Sequence, residues 1–179
     1  MRPHLADTPV LETERLILRA FAPEDMEAGV RFLMDPRTLY MGGPYPRHEA
    51  WDHCAALIGH WAIHGFGLFV LCLKTDGRVI GDAALLLPGG YTENELGWGI
   101  WDKTFEGQGY AFEAASAVRA HAYDDLGWST LVSYVDPENE RSIALARRLG
   151  CRLDPEATRP DLPDWEGTLV FRHPAPEDL

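Results

Sequence analysis

The residues whose types and spacing could do chemistry lie just past the middle of the chain, in Phe105-Glu106-Gly107-Gln108-Gly109-Tyr110-Ala111. Two glycines flank a glutamine, a strand-like run precedes them and an alanine-rich run follows. A helix that begins near Gly109 leaves its first N–H groups without intrahelical partners, and its dipole makes that end positive. Glycine at 107 and 109 removes side chains that would block an anion and permits left-handed dihedrals, so several N–H groups can converge. Such a turn fits a pyrophosphate. It serves equally as a plain strand-to-helix turn, and the stretch alone does not choose. Two competing nucleotide signatures fail. A dinucleotide fold needs GxGxxG after the first strand of a βαβ unit, but here the third glycine is absent and a meander precedes. No GxxxxGK[ST] occurs.

The other reactive residues narrow the chemistry by exclusion. The three cysteines, Cys54, Cys72 and Cys151, are widely spaced with no CxxC pair. They read as buried free thiols, with neither a zinc site nor a disulfide framework, and no metal is expected. A net charge of −12 opposes binding to nucleic acid or to an anionic membrane, because the basic residues do not gather into a patch. The densest group is Arg141, Arg147 and Arg148, on a predicted helix. A polyanionic ligand must then be held by local donors. No apolar run approaches the roughly 18 residues of a membrane span, and the first residues lack an apolar signal core, so a cytoplasmic protein is expected.

The elements that must position the loop follow from periodicity. The 179 residues suit one domain over 1–179. Arg15 to Phe21 alternates as a strand. A helix follows from Pro23, its apolar face Met26, Val30, Leu33 and Met34. Asp35 to Pro46 is punctuated as a loop. A second helix follows, its predicted stripe Trp51, Ala55, Ile58 and Ala62. Gly67 to Lys74, Arg78 to Leu87 and Asn94 to Trp101 form an antiparallel meander through tight turns. Tyr110 to Leu126 is a helix whose Ala111, Ala114, Ala115, Val118 and Ala122 make a smooth face against a sheet. Ser129 to Asp136 is a strand, a helix runs on to Gly150, and Glu166 to His173 is a closing strand. The order β-α-α-β-β-β-α-β-α predicts a mixed α/β sandwich. An antiparallel meander leads into a right-handed, parallel β-α-β unit, and helices flank the central sheet.

Three stretches in this order carry a resemblance: "LETERLILRAFAPED", "ELGWGIWDKTFEGQGYAFEAA" and "VDPENERSIALARRLGC". Together they resemble the GNAT acyl-CoA N-acyltransferases, closest to the branch of ribosomal-protein N-terminal acetyltransferases. The resemblance covers about residues 11–154, and the family's fold has the element order inferred above. It implies acetyl-CoA as cosubstrate. The loop Gly107, Gln108, Gly109, Tyr110 and Ala111 would hold the pyrophosphate through backbone N–H groups. Glu106 stands where the family carries Gln or Arg, and would need to point to solvent. Pantetheine would pair with the strand edge at Trp98, Gly99 and Ile100, where two strands splay. Asn139 and Ser142 match the family's N-x-x-S, with Asn139 also suited to capping its helix. Arg147, with Arg141 and Arg148, is a candidate phosphate partner.

The resemblance also implies a reaction: direct transfer of acetyl to a primary amine of a small molecule or a peptide N-terminus. Glu95 would act as base, its carboxyl raised by a partly apolar site. A backbone N–H near Gly97 to Gly99 would meet the oxyanion. Ala146 occupies the place of the tyrosine that many relatives use as acid, leaving Tyr134 or Ser133 as substitutes. Tyr40, Tyr45, His60 and Trp61 would line the acceptor site. A homodimer through sheet edges or the C-terminal tail is compatible with this fold. Ala146 and Glu106 together motivate an alternative, a non-catalytic acyl-CoA-binding or sensor domain.

Overall fold

The computed structural model describes residues 7–160, 165 and 167–178. Its strands are β1 (Leu11–Glu12), β2 (Leu16–Ala20), β3 (Leu68–Leu73), β4 (Val79–Leu86), β5 (Glu95–Ile100), β6 (Val132–Val135), β7 (Arg152–Leu153) and β8 (Leu169–Arg172). Its α-helices are α1 (Met26–Leu33), α2 (Arg47–His64), α3 (Tyr110–Asp124) and α4 (Glu140–Arg148). The strands form one sheet in the order β1-β2-β3-β4-β5-β6-β8-β7. The meander from β2 to β5 is antiparallel, and β5 pairs with β6 in parallel. This is the mixed sheet flanked by helices that the sequence predicts. No helix among the described residues is long and apolar enough to cross a membrane.

Each face of the sheet carries its own core. On one face, Leu16, Leu18, Phe69, Leu71, Leu85 and Leu96 pack under α3 and α4. The alanines of α3 let it lie close: Ala114, Ala115, Val118 and Ala122 are fully buried. On the other face, Leu68, Val70, Cys72 and Ala84 meet Val30, Phe32 and Leu33 of α1 and Ala50 and Cys54 of α2. Burying such side chains contributes roughly 1.5–3 kcal/mol each, which is what holds the helices on the sheet.

Three local expectations change. The buried stripe of α2 is Ala50, Cys54 and Trp61, not the one through Trp51 and Ala62; Trp51 is 54% exposed. The stripe is displaced by one residue because Trp61 reaches over to the opposite core to pack on Phe69. Within the 35–46 loop, Pro36–Met41 forms a 3-10 turn capped by the Asp35 side chain, which accepts from the Arg37 N–H at 2.9 Å. Met34 is exposed rather than part of the α1 face. The predicted closing strand begins at Glu166, which lies outside the described residues; its ordered part is Leu169–Arg172.

β4 carries an extra residue. Leu71 pairs with Gly81 but Cys72 pairs with Val79, so Ile80 bulges. The bulge resets the alternation and turns Asp82 toward the α1/α2 face. At Gly81 the neighbouring strand passes so close that an added Cβ would lie 2.2 Å from the Gly99 carbonyl oxygen.

Candidate active site

The site is a fork in the sheet. β5 and β6 share one bridging pair, Glu95 with Val132, and then diverge. The Val132 N–H donates to Asn94 O at 3.1 Å, and the Ser133 hydroxyl donates to Leu96 O at 2.5 Å. Even-numbered residues of β5 therefore turn their backbone groups toward β6. Trp101, an odd-numbered neighbour, donates instead to Ile80 O of β4. By this alternation Trp98 and Ile100 present N–H and C=O groups to the gap, whereas Gly99 turns its own to β4, paired with Asp82. Of the three predicted edge residues, two have backbone groups free to pair with a chain laid in the fork. Ile100 keeps only its N–H for this, because Arg37 takes its carbonyl at 3.1 Å.

The glycine loop sits at the mouth of the fork. Gly107 has φ +72° and Gly109 has φ +86°, a region open to glycine at little cost. A Cβ at Gly107 would meet nothing within 4 Å. α3 starts at Tyr110, with Gly109 as its cap. Among the described residues, none of the N–H groups from Gly107 to Phe112 donates to a backbone or side-chain acceptor; the first bonded one is Glu113, to Gly109 O at 3.0 Å. A fan of orphaned donors at a positive helix end fits a pyrophosphate. The loop is braced from beneath. Arg15 Nη1 donates to Gln108 O at 3.0 Å, its Nε donates to Glu113 at 2.6 Å, and its guanidinium lies 4.0 Å above the Tyr110 ring. The Gln108 side chain donates one N–H to Thr104 O at 2.6 Å, which holds it back on the preceding turn. Arg148 stacks on Phe112 at 4.3 Å beside the loop.

Glu106 does not point to solvent. Arg37 Nη1 meets its Oε1 at 2.7 Å and Arg141 Nη1 meets its Oε2 at 2.6 Å. Two cations flank this carboxylate, so its charge is neutralised at the loop entrance, although Arg37 is also shared with Asp35. On α4, the Asn139 side chain caps the helix by accepting from Ser142 N–H at 3.1 Å. Its carboxamide oxygen is thereby occupied, and the side-chain NH2 is what remains for a ligand. Arg147 is exposed in the last turn of α4, away from the first turn that holds Asn139 and Arg141.

At the apex of the fork Glu95 is 8% exposed, and burial raises its carboxyl to about 7, against smaller opposing contributions from the Tyr134 N–H and Tyr91. Tyr134 N–H approaches Glu95 Oε1 at 3.4 Å. The Tyr134 hydroxyl lies 3.3 Å from Thr92 Oγ1, and its ring packs edge-on against Tyr91 and Trp165 at 5.3 and 5.4 Å. Burial raises the Tyr134 hydroxyl as well. Two residues along the strand, on the same face as Glu95, Gly97 opens onto empty space: an added Cβ would meet nothing within 4 Å. The sheet face that carries the Glu95 side chain is thus open at Gly97, on the α1/α2 side. On the opposite face, Ser133 Oγ is 3.0 Å from His173 Nε2. Burial, with help from Arg119, drives His173 down to about 3, so it is neutral.

The predicted acceptor residues divide. Tyr45 is half-buried, donates its hydroxyl to Met41 O at 2.7 Å and packs on His53 at 4.2 Å. Tyr40 is exposed on the 3-10 turn. His60 and Trp61 are not brought to the cleft. His60 accepts from Leu87 N–H at Nε2 (3.0 Å) and donates from Nδ1 to Phe66 O (2.8 Å), which ties α2 to the sheet. Trp61 is buried and donates to Leu68 O at 2.9 Å. Ala146 is fully buried. The three cysteines are buried and unpaired; burial pushes Cys54 to about 11 and Cys151 to about 12. Sequence reasoning missed Arg37, Arg15, Tyr91 and Trp165. Arg37 and Glu106 are 69 positions apart, and no local pattern pairs them.

Comparisons with known proteins identify the family and the fold. The family described as "Acetyltransferase (GNAT) domain" matches residues 15–152. The crystal structure of an acetyltransferase from Agrobacterium tumefaciens is 38% identical, covering 97% of this chain and 99% of that one, with a TM-score of 0.86. The FsC-acetyl coenzyme A-N(2)-transacetylase of Aspergillus fumigatus is 30% identical over 158 residues; the match covers 81% of this chain and 65% of that protein. The ribosomal L7/L12 alpha-N-protein acetyltransferase RimL, solved in complex with coenzyme A, is 16% identical with a TM-score of 0.70, covering 92% of this chain and 96% of that one, a likeness of fold alone.

Proposed function

This chain belongs to the GNAT acetyltransferase family, an acyltransferase family that uses acetyl-CoA, and we propose that it moves the acetyl group directly to a primary amine of a small molecule or of a protein N-terminus. The carrying observation is the conjunction of a fork, a fan of free N–H groups at its mouth and a buried carboxyl at its apex. The N–H groups from Gly107 to Ala111 hold the pyrophosphate, and Trp98 with the Ile100 N–H pairs with the pantetheine. Asn139, Ser142 and Arg141 contribute from the first turn of α4; Arg147, in its last turn, does not. The thioester supplies an activated acetyl group.

Glu95 takes the proton from the acceptor amine, directly or through water in the cleft above Gly97. With its carboxyl at about 7, it is half ionised near neutral pH and strong enough as a base to matter. Tyr134, on the same face beside it, is the proton donor to the leaving thiolate. Tyr45, Tyr91 and Tyr40 edge the acceptor cleft, which suits a small amine or a peptide N-terminus. Ala146, buried where many relatives carry a tyrosine, supports a second reading, an acyl-CoA-binding domain without turnover. Two measurements decide. Calorimetry with acetyl-CoA tests the cofactor site, and absence of binding at millimolar concentration refutes it. Thiol release across a panel of amines and N-terminal peptides separates turnover from binding alone.

A further inference from the structure

The Glu106 clasp assigns a role to a residue that departs from its family pattern. Both Glu106 oxygens are used, one by Arg37 and one by Arg141. The two arginines differ. Arg141 is 82% exposed and holds nothing but this carboxylate among the described residues. The Arg37 side chain is 26% exposed and bonded on several sides: to Ile100 O at 3.1 Å, to Trp101 O at 2.7 Å and to Asp35 Oδ2 at 3.3 Å, with its guanidinium 5.7 Å from the Phe32 ring. Arg37 belongs to the 3-10 turn Pro36–Met41 that edges the acceptor cleft. Glu106 immediately precedes the glycine loop. One ion pair therefore joins the acceptor-side turn to the cofactor loop, at the end of the strand whose edge faces the fork.

We propose that Glu106 and Arg37 are positioning residues that couple cofactor occupancy to the order of the acceptor-side turn. The inference rests on the cofactor site described above. An anion on the N–H fan offers Arg141 a stronger partner than a shared carboxylate. Arg141 turns to it, Glu106 is left wholly to Arg37, and the Pro36–Met41 turn is held more tightly against β5. The acceptor cleft is then firm when acetyl-CoA is bound and looser when it is not. Coupling of this kind is reciprocal, so a firm turn also favours the cofactor.

Hydrogen exchange of the 37–41 amides, with and without acetyl-CoA, tests this without an identified acceptor. In the wild type, exchange there slows on adding acetyl-CoA. Glu106→Gln keeps acetyl-CoA binding within about threefold, because the N–H fan and not this carboxylate meets the pyrophosphate and the pair is only partly buried, but loses the slowing. Arg37→Lys, which keeps the charge and lacks the planar fork, behaves the same way. Arg141→Ala gives the opposite signature: slowed exchange at 37–41 before any cofactor is added. Ligand-dependent slowing that survives Glu106→Gln overturns the clasp, as does wild-type exchange indifferent to bound acetyl-CoA. Loss of acetyl-CoA binding in Glu106→Gln also overturns it, since Glu106 would then be building the loop itself. Failure of the wild type to bind acetyl-CoA refutes the cofactor site, and the clasp with it.

Discussion

Replacing Glu95 by Gln tests the proposed chemistry and the burial argument in one variant. The carboxyl is raised from an ordinary 4.5 to about 7, chiefly by burial. A base with that value is roughly one-tenth ionised at pH 6 and nine-tenths at pH 8, so turnover rises about tenfold between them before the acceptor's own titration is added. Glu95→Gln keeps the oxygen that meets the Tyr134 N–H at 3.4 Å but cannot take a proton. It should lose about 10²–10⁴ in turnover and the pH limb centred near 7, leaving only the limb of the acceptor amine. The same shift acts on stability. Folded, the carboxyl keeps its proton between about 4.5 and 7, where the unfolded chain has lost it. The native state binds the extra proton there, so stability is highest below about 4.5 and falls as pH climbs to about 7. The fall is at most about 1.4 kcal/mol per pH unit and on the order of 3 kcal/mol in all. Glu95→Gln removes that share, and urea titrations at pH 5 and pH 8 should show the variant gaining on the wild type at the higher pH. Undiminished turnover with the limb near 7 intact would refute Glu95 as base. A stability difference independent of pH would refute its burial.

Asp82→Asn should flatten the same alkaline loss of stability, since burial also raises Asp82 to about 7, while leaving the turnover limb near 7 in place; urea titration and a rate profile read the two. Gly109→Val forces a β-branched residue to φ +86° or moves the loop. Losing two or more charge-assisted N–H contacts to the pyrophosphate should weaken acetyl-CoA about 100-fold or more by calorimetry. Gly81→Ala places a Cβ 2.2 Å from Gly99 O and should cost about 3 kcal/mol in urea unfolding, because two strands must part.

The meander, the alanine-faced α3, the glycine loop and the capping Asn139 were legible because each is a local pattern: alternation, a 3.6-residue face, a turn residue, a cap. The fork itself is not such a pattern. It depends on Ser133 reaching Leu96 O across 37 positions and on where parallel pairing stops. Nor could the α2 stripe be read, because Trp61 serves the core of the opposite face. Glu106 was legible as a departure but not as a partner. Its meaning lies in Arg37 and Arg141, far from it in sequence and on different elements. Patterns within an element show what it is made of. Which elements share a charge is settled only by packing.

Glu95 and Asp82 have the same chemistry, the same direction of shift and the same sheet face, yet the surroundings give them different work. Asp82 accepts from the Trp101 indole at 2.6 Å. Its Oδ1 would lie 2.8 Å from a Cβ on Gly99, with the Phe32 ring at 3.3 Å, so the space around it is filled by aromatic carbon. Nothing the size of a substrate fits there. The next residue of β5 on the same face as Glu95 is Gly97, above which no atom lies within 4 Å of an added Cβ. A raised carboxyl beside open space can exchange its proton with an arriving amine, whereas a raised carboxyl under a tryptophan can only hold it. Functional assignment therefore turns on the vacancy next to the group as much as on the shift. Gly97 is the residue that supplies it, in a strand interior where glycine is otherwise a cost.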